Sequence, residues 1–179
     1  PIRCGPTCRP TVGRTGQCEP ETRLDVKLYV TGAAGFIGSN YVRWVLGNTD
    51  HEVTILDALT YAGNLETIRD VVDDRRCRFV HGDICDQDVV QTAMDGHDAV
   101  AHFAAETHVT RSIYDNYHFF ETDVLGTQVV ANSVLKHVKG IDRFIHISTS
   151  EVYGTARSPQ MDEEQPLMPM SPYASAKAG

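Results

Sequence analysis

Short apolar runs alternate along this chain with stretches whose apolar residues recur every three or four positions. Val26-Lys27-Leu28-Tyr29-Val30 is short, β-branched and aromatic, which predicts a buried strand. Phe36, Ile37, Tyr41, Val42, Val45 and Leu46 follow at helical spacing. Val53-Thr54-Ile55-Leu56 predicts a second strand ending in Asp57, and Leu65, Ile68, Val71 and Val72 a second helical stretch. Arg78 to His81 reads as a third strand, Asp88 to Met94 as a helix closed by Gly96, and Asp98 to Phe103 as a fourth strand. A long helix is expected next, with Phe119, Val124, Val129, Val130, Val134, Leu135 and Val138 on its buried face. Arg143 to Ile147 is the fifth strand, residues 154–170 a proline-rich acidic loop, and Ser171-Pro172 the start of a last helix.

Strands alternating with helices predict the α/β class: a doubly wound, Rossmann-type parallel sheet. Ligands of such sheets lie beyond the carboxyl ends of the strands. Those ends collect Gly32 to Gly38, Asp57, Asp83-Ile84, Ala104-Ala105 and Thr149 to Glu151. The first turn, Thr31-Gly32-Ala33-Ala34-Gly35-Phe36-Ile37-Gly38, joins strand to helix. Glycine lets the backbone turn tightly and touch a ligand, and free N–H groups at the helix start favour an anion such as a pyrophosphate. Asp57 stands about where a dinucleotide fold places the acid for ribose hydroxyls, so the reading is dinucleotide binding. A tight turn with close helix packing is the plain alternative. The small Ala104-Ala105 pair suits either a cofactor lying close to the backbone or simple packing.

Composition narrows the class. The chain has 179 residues, 41% hydrophobic and 22% charged, as in an ordinary soluble domain. A net charge of −8 argues against a nucleic-acid partner. No apolar run reaches membrane-spanning length, and the N-terminus lacks the apolar core of a signal peptide. Cys4, Cys8 and Cys18 lie in a Pro/Gly/Arg/Thr-rich segment without histidine or a fourth thiol, so no metal is expected. Residues 1–25 read as a disordered or non-native leader, and 26–179 as the domain. Cys77 and Cys85 flank the third strand and are expected to be reduced thiols of a cytoplasmic protein.

Tyr173-x-x-x-Lys177 places a phenol and an ammonium one turn apart on one helical face. A free tyrosine has a pKa of about 10, too high for a base near neutrality. A neighbouring cation favours the phenolate, so Lys177 is expected to lower the Tyr173 pKa, and it can also reach ribose hydroxyls. Thr149 would hydrogen-bond the reacting hydroxyl, although threonine also caps turns.

The Gly-x-x-Gly-x-x-Gly spacing resembles the extended short-chain dehydrogenase/reductase family. Further blocks run from about Lys27 to Gly179: Asp57-Ala-Leu-Thr-Tyr-Ala-Gly-Asn64, His81-Gly-Asp-Ile84, Phe103-Ala-Ala-Glu-Thr-His-Val109, Arg111-Ser112-Ile113 and Ser171-Pro-Tyr-Ala-Ser-Ala-Lys177. Together they are similar to the dTDP-glucose 4,6-dehydratases of that family. The resemblance implies tightly held NAD, a nucleotide-sugar substrate and a homodimer when full length. It implies cofactor contacts from Gly32, Gly35, Phe36, Ile37, Gly38, Asp57, Thr60, Asp83, Ile84, Ala104, Ala105, Tyr173 and Lys177. It assigns Thr107 and Thr149 to the substrate, and Thr149, Ser150, Glu151, Tyr173 and Lys177 to catalysis. Tyr173 would deprotonate the C4 hydroxyl, and Glu151 would remove the C5 proton once C4 is a ketone. Such enzymes usually carry Asp where this chain has Ser150 and Thr110. Thr149-Ser150-Glu151 is similar instead to GDP-mannose 4,6-dehydratases and UDP-glucuronate decarboxylases, and a 4-epimerase or a non-catalytic NAD-binding module are further alternatives. The resembling enzymes continue into a C-terminal substrate-binding region. The Rossmann domain is therefore expected to be truncated here, and a fragment of residues 1–179 to bind NAD weakly without turnover.

Overall fold

The computed structural model describes residues 25–137, 140–156 and 161–179. Apart from Asp25, the leader and its three cysteines fall outside them, as does Val138 of the expected long helix. Five strands, β1 (Lys27–Thr31), β2 (Glu52–Asp57), β3 (Cys77–His81), β4 (Ala99–His102) and β5 (Arg143–His146), pair in parallel in the order β3-β2-β1-β4-β5. Strand order reverses between β1 and β4, so the connections leave a crevice at their carboxyl ends. This is the Rossmann-type sheet that the alternation predicts.

β1 is apolar on both faces because both are covered. Leu28 and Val30 pack with Val42 and Val45 of α1 (Phe36–Asn48) and with Ile68, which precedes α2 (Arg69–Val72). Tyr29 packs on the other side with Val90 and Met94 of α3 (Gln87–Met94) and Val130. Asp86 begins α3 by accepting hydrogen bonds from the Asp88 and Val89 amides, and Gly96 follows with left-handed backbone.

The helical spacing at the start of α1 misleads. Phe36 is 82% exposed and Ile37 63%, because the first turn stands over the strand ends rather than against the sheet. The core face is Gly38, Ser39, Val42, Val45 and Leu46. Leu65 is also exposed, on a 3-10 turn Leu65–Ile68 that precedes α2.

The expected long helix is divided. α4 (Val109–Tyr114) stands before it as a separate short helix. α5 (Tyr117–Phe120) then runs through a π-helical segment, Glu121–Gly126, into α6 (Thr127–Lys136). The wider π turn resets the helical phase, so Leu135 is 68% exposed while Phe119 and Val130 are buried. β5 ends at His146, one residue early, and Ser150–Tyr153 forms a 3-10 turn. α7 (Pro172–Ala178) opens with Ser171, whose hydroxyl accepts a hydrogen bond from the Ala174 amide, and with proline in its first turn. Tyr173 and Ala176 of α7 pack on Phe119, which fixes α7 beside the π turn.

Candidate active site

A cavity of about 430 Å³ opens at the carboxyl ends of the strands, above the exits of β1 and β4. Its floor is the glycine turn after β1. Gly32 has φ +73, and a Cβ there would sit 2.4 Å from the Ala104 nitrogen. A Cβ on Gly38 would sit 2.5 Å from the Gly32 carbonyl oxygen. Both glycines are therefore required by close packing: one lets β4's exit approach the turn, the other lets α1 start directly above it. Gly35, the N-cap of α1, supplies no side-chain oxygen, and the first turn carries no acidic residue. The first amides of α1 are left for an external acceptor, which suits an anionic group at this end of the cavity.

Asp57 is buried and ties the turn down. One carboxylate oxygen accepts from the Ala34 amide at 2.8 Å, the other from the Leu59 amide at 2.8 Å. Each oxygen keeps lone-pair capacity, so the carboxylate can still accept from a ligand hydroxyl. Below the floor, Thr31 Oγ1 accepts from the Ala104 amide and lies 2.6 Å from His102 Nδ1. His102 Nε2 lies 3.0 Å from Thr127 Oγ1, so the ring is held between two threonine hydroxyls, one on each nitrogen. Burial, with the charges of His146 and Lys177, pushes His102 down to about 3, so the imidazole is neutral.

The opposite wall comes from α7 and the segment after β5. Tyr173 and Lys177 both line the cavity, with Ile147 and Ser148. Lys177 Nζ donates to the Ile147 carbonyl at 2.8 Å, leaving two N–H groups for other acceptors. The Thr149 hydroxyl accepts from the Glu151 amide and lies beside the Tyr173 phenol, where it favours the phenolate. Contrary to the sequence expectation, the Tyr173 pKa is raised. Burial dominates, and the charges of Asp123 and Glu151 add to it, against the pull of the Thr149 hydroxyl. Burial also lowers Lys177, while the charge of Asp123 raises it.

All the residues read as cofactor contacts line this one cavity: Gly32, Gly35, Phe36, Ile37, Gly38, Asp57, Thr60, Asp83, Ile84, Ala104, Ala105, Tyr173 and Lys177. Thr107 lines it too. Thr149, Ser150 and Glu151 do not; Ser150 and Glu151 are exposed on the 3-10 turn beside it. Two residues to which the sequence assigns no role support the site. Ser112 is fully buried; its hydroxyl accepts from the Tyr173 amide at 3.2 Å and donates to the Val109 carbonyl at 2.6 Å. Asp123, on the π turn, is buried, and one of its oxygens accepts from the Glu106 amide at 2.7 Å. Ser112 lies in the Arg111-Ser112-Ile113 block without a role assigned there, and no quoted block includes Asp123; only the approach of α7 gives them their roles.

The family model described as GDP-mannose 4,6 dehydratase matches residues 29–179. The dTDP-glucose 4,6-dehydratase of Streptomyces niveus is 50% identical over 158 residues, which cover 86% of this chain and 46% of that protein. DesIV, a dTDP-glucose 4,6-dehydratase from Streptomyces venezuelae solved with NAD bound, superposes with a TM-score of 0.81 at 47% identity, covering 86% of this chain and 48% of that one. The UDP-Glc/GlcNAc 4-epimerase of Campylobacter jejuni superposes with a TM-score of 0.77 at 32% identity, covering 85% of this chain and 46% of that one. The chain thus spans about half the length of the curated relatives it matches. No helix among the described residues is long and apolar enough to cross a membrane.

Proposed function

The chain belongs to the GDP-mannose 4,6 dehydratase family, and on that footing we propose that it is the NAD-binding part of a nucleotide-sugar 4,6-dehydratase acting on dTDP-glucose. The observation that carries this reading is the meeting of Tyr173, Lys177 and the glycine turn in one cavity, with Thr149 beside the Tyr173 phenol. The glycine turn and the uncapped start of α1 would hold the pyrophosphate of NAD, and Asp57 the adenosine ribose. Bound there, NAD supplies a reversible hydride acceptor.

The protein's own work is proton transfer and orientation. Tyr173, as phenolate, takes the proton of the C4 hydroxyl as C4 is oxidised, with Thr149 orienting that hydroxyl. The C4 ketone acidifies C5–H, and Glu151 takes that proton. Two protons taken up are matched by two returned. One leaves with the C6 hydroxyl as water, and one goes back to C5 when hydride returns to C6. The product is the 4-keto-6-deoxy sugar, with no net redox change. Ser150, where the resembling enzymes carry Asp, can hold a water at C6 but is a poor proton donor at neutral pH. The relatives at 44–50% identity favour dTDP-glucose over GDP-mannose and UDP-glucuronate, for which Thr149-Ser150-Glu151 speaks. Cytoplasmic residence and a homodimer of the full-length protein belong to the same proposal.

Product analysis of the full-length protein with dTDP-glucose, GDP-mannose and UDP-glucuronate tests it. Formation of dTDP-4-keto-6-deoxyglucose is expected. A 4-epimer or a pentose product would replace this reading with the epimerase or decarboxylase one.

A further inference from the structure

One buried acid has no part in the reaction just described. Asp123 is 4% exposed on the π turn, and its second carboxyl oxygen has no hydrogen-bond partner. A buried orphan oxygen is costly, so its position calls for a reason. Three groups face it from the packed elements: Lys177 and Tyr173 from α7, and Glu106 from the loop after β4. On its own turn, Glu121 is engaged with His118. Glu106 binds one carboxyl oxygen through its amide, while its own carboxylate repels the ionised form. Lys177 attracts it, and negative charge on Asp123 in turn disfavours the Tyr173 phenolate.

We propose that Asp123 is a positioning residue that sets the charge balance of the Tyr173–Lys177 pair. Ionised, it keeps Lys177 charged but opposes phenolate formation on Tyr173, and so acts as a brake on the base. The proposal rests on the reading of Tyr173 as the base. Burial holds the Asp123 carboxyl up to about 7, so the brake engages as pH rises through neutrality. Asparagine is the matched neutral replacement: its side-chain oxygen keeps the Glu106 amide bond, and the charge is gone.

The test uses the full-length protein. Carboxyl carbon NMR of aspartate-labelled wild type should show one aspartate titrating near pH 7, absent from Asp123→Asn and displaced upward in Lys177→Met. In Asp123→Asn the ascending limb of turnover against pH should move down by about 1 unit. A purely structural role would lower turnover at every pH and leave that limb in place. An Asp123 that titrates in the ordinary carboxylate range, or is indifferent to Lys177→Met, overturns the proposal even if Asp123→Asn does not fold. An unmoved limb beside an inactive Tyr173→Phe overturns this proposal alone. An active Tyr173→Phe overturns the reading of Tyr173 as base, and the proposal with it.

Discussion

Gly32 shows how a single position couples fold and site. Its left-handed backbone and its contact with Ala104 each exclude a side chain. Gly32→Ala should cost about 2–5 kcal/mol, from the strained backbone and the overpacking together, read by chemical denaturation. Wild-type stability in that variant would mean that the β4 exit can move aside. Glu151 is exposed beside the cavity, and its proposed role in removing the C5 proton rests on its place two residues after Thr149. Glu151→Gln in the full-length enzyme should keep C4 oxidation but stop solvent deuterium from entering C5. Deuterium entering at the normal rate would move that role elsewhere. The glycine turn and Tyr173-x-x-x-Lys177 were legible because their chemistry is local and their spacing fixed. The rise in the Tyr173 pKa was not, because burial and the charge of Asp123 come from elements far away in sequence.

At the scale of elements, α7 has seven residues and cannot hold its own shape. Three contacts hold it: the Ser171 cap, the Tyr173 amide on Ser112, and packing on Phe119. Ser112→Ala leaves a buried amide unpaired and should cost about 1–3 kcal/mol. Turnover should fall further than stability alone explains, since a base displaced by about 1 Å can lose on the order of a hundredfold. Unchanged turnover at full occupancy would show that α7 is positioned without Ser112. The strands were legible in number and in parallel type because short apolar runs alternate with helical stretches; β1, β2 and β4 are buried, while β3 and β5 at the sheet edges are only partly covered. The helix after β4 was not: a π turn changes phase without changing the apolar count, so Leu135 fits the predicted stripe and yet faces outward. Phe36 and Ile37 misled for a related reason, since apolar residues at a helix start serve a cavity as well as a core.

The whole molecule responds to pH through opposed groups. His102 is depressed to about 3, so its contribution to stability is complete above the unfolded value of about 6.5 and is lost as pH falls towards 3. Asp123 is raised to about 7 from 3.8, so it favours the folded state most at low pH and loses that advantage as pH rises through 7. Asp123→Asn should therefore raise the melting temperature at pH 8 relative to wild type, with the gain shrinking towards pH 5. A gain that does not depend on pH would place the Asp123 carboxyl in the ordinary range. Asp57 adds a prediction about the cofactor: a buried carboxylate repels a 2′-phosphate, so NAD should bind more tightly than NADP in direct titration. Tighter NADP binding would remove Asp57 from the ribose.

In the proposed reaction, hydride leaves C4 of a nucleotide sugar and returns at C6 within one site. Feeding dTDP-glucose deuterated at C4 to the full-length protein follows that atom directly. A 4-keto-6-deoxy product carrying the deuterium at C6 is expected. Deuterium found at C4 of an epimerised sugar, or lost to solvent, would contradict that reaction.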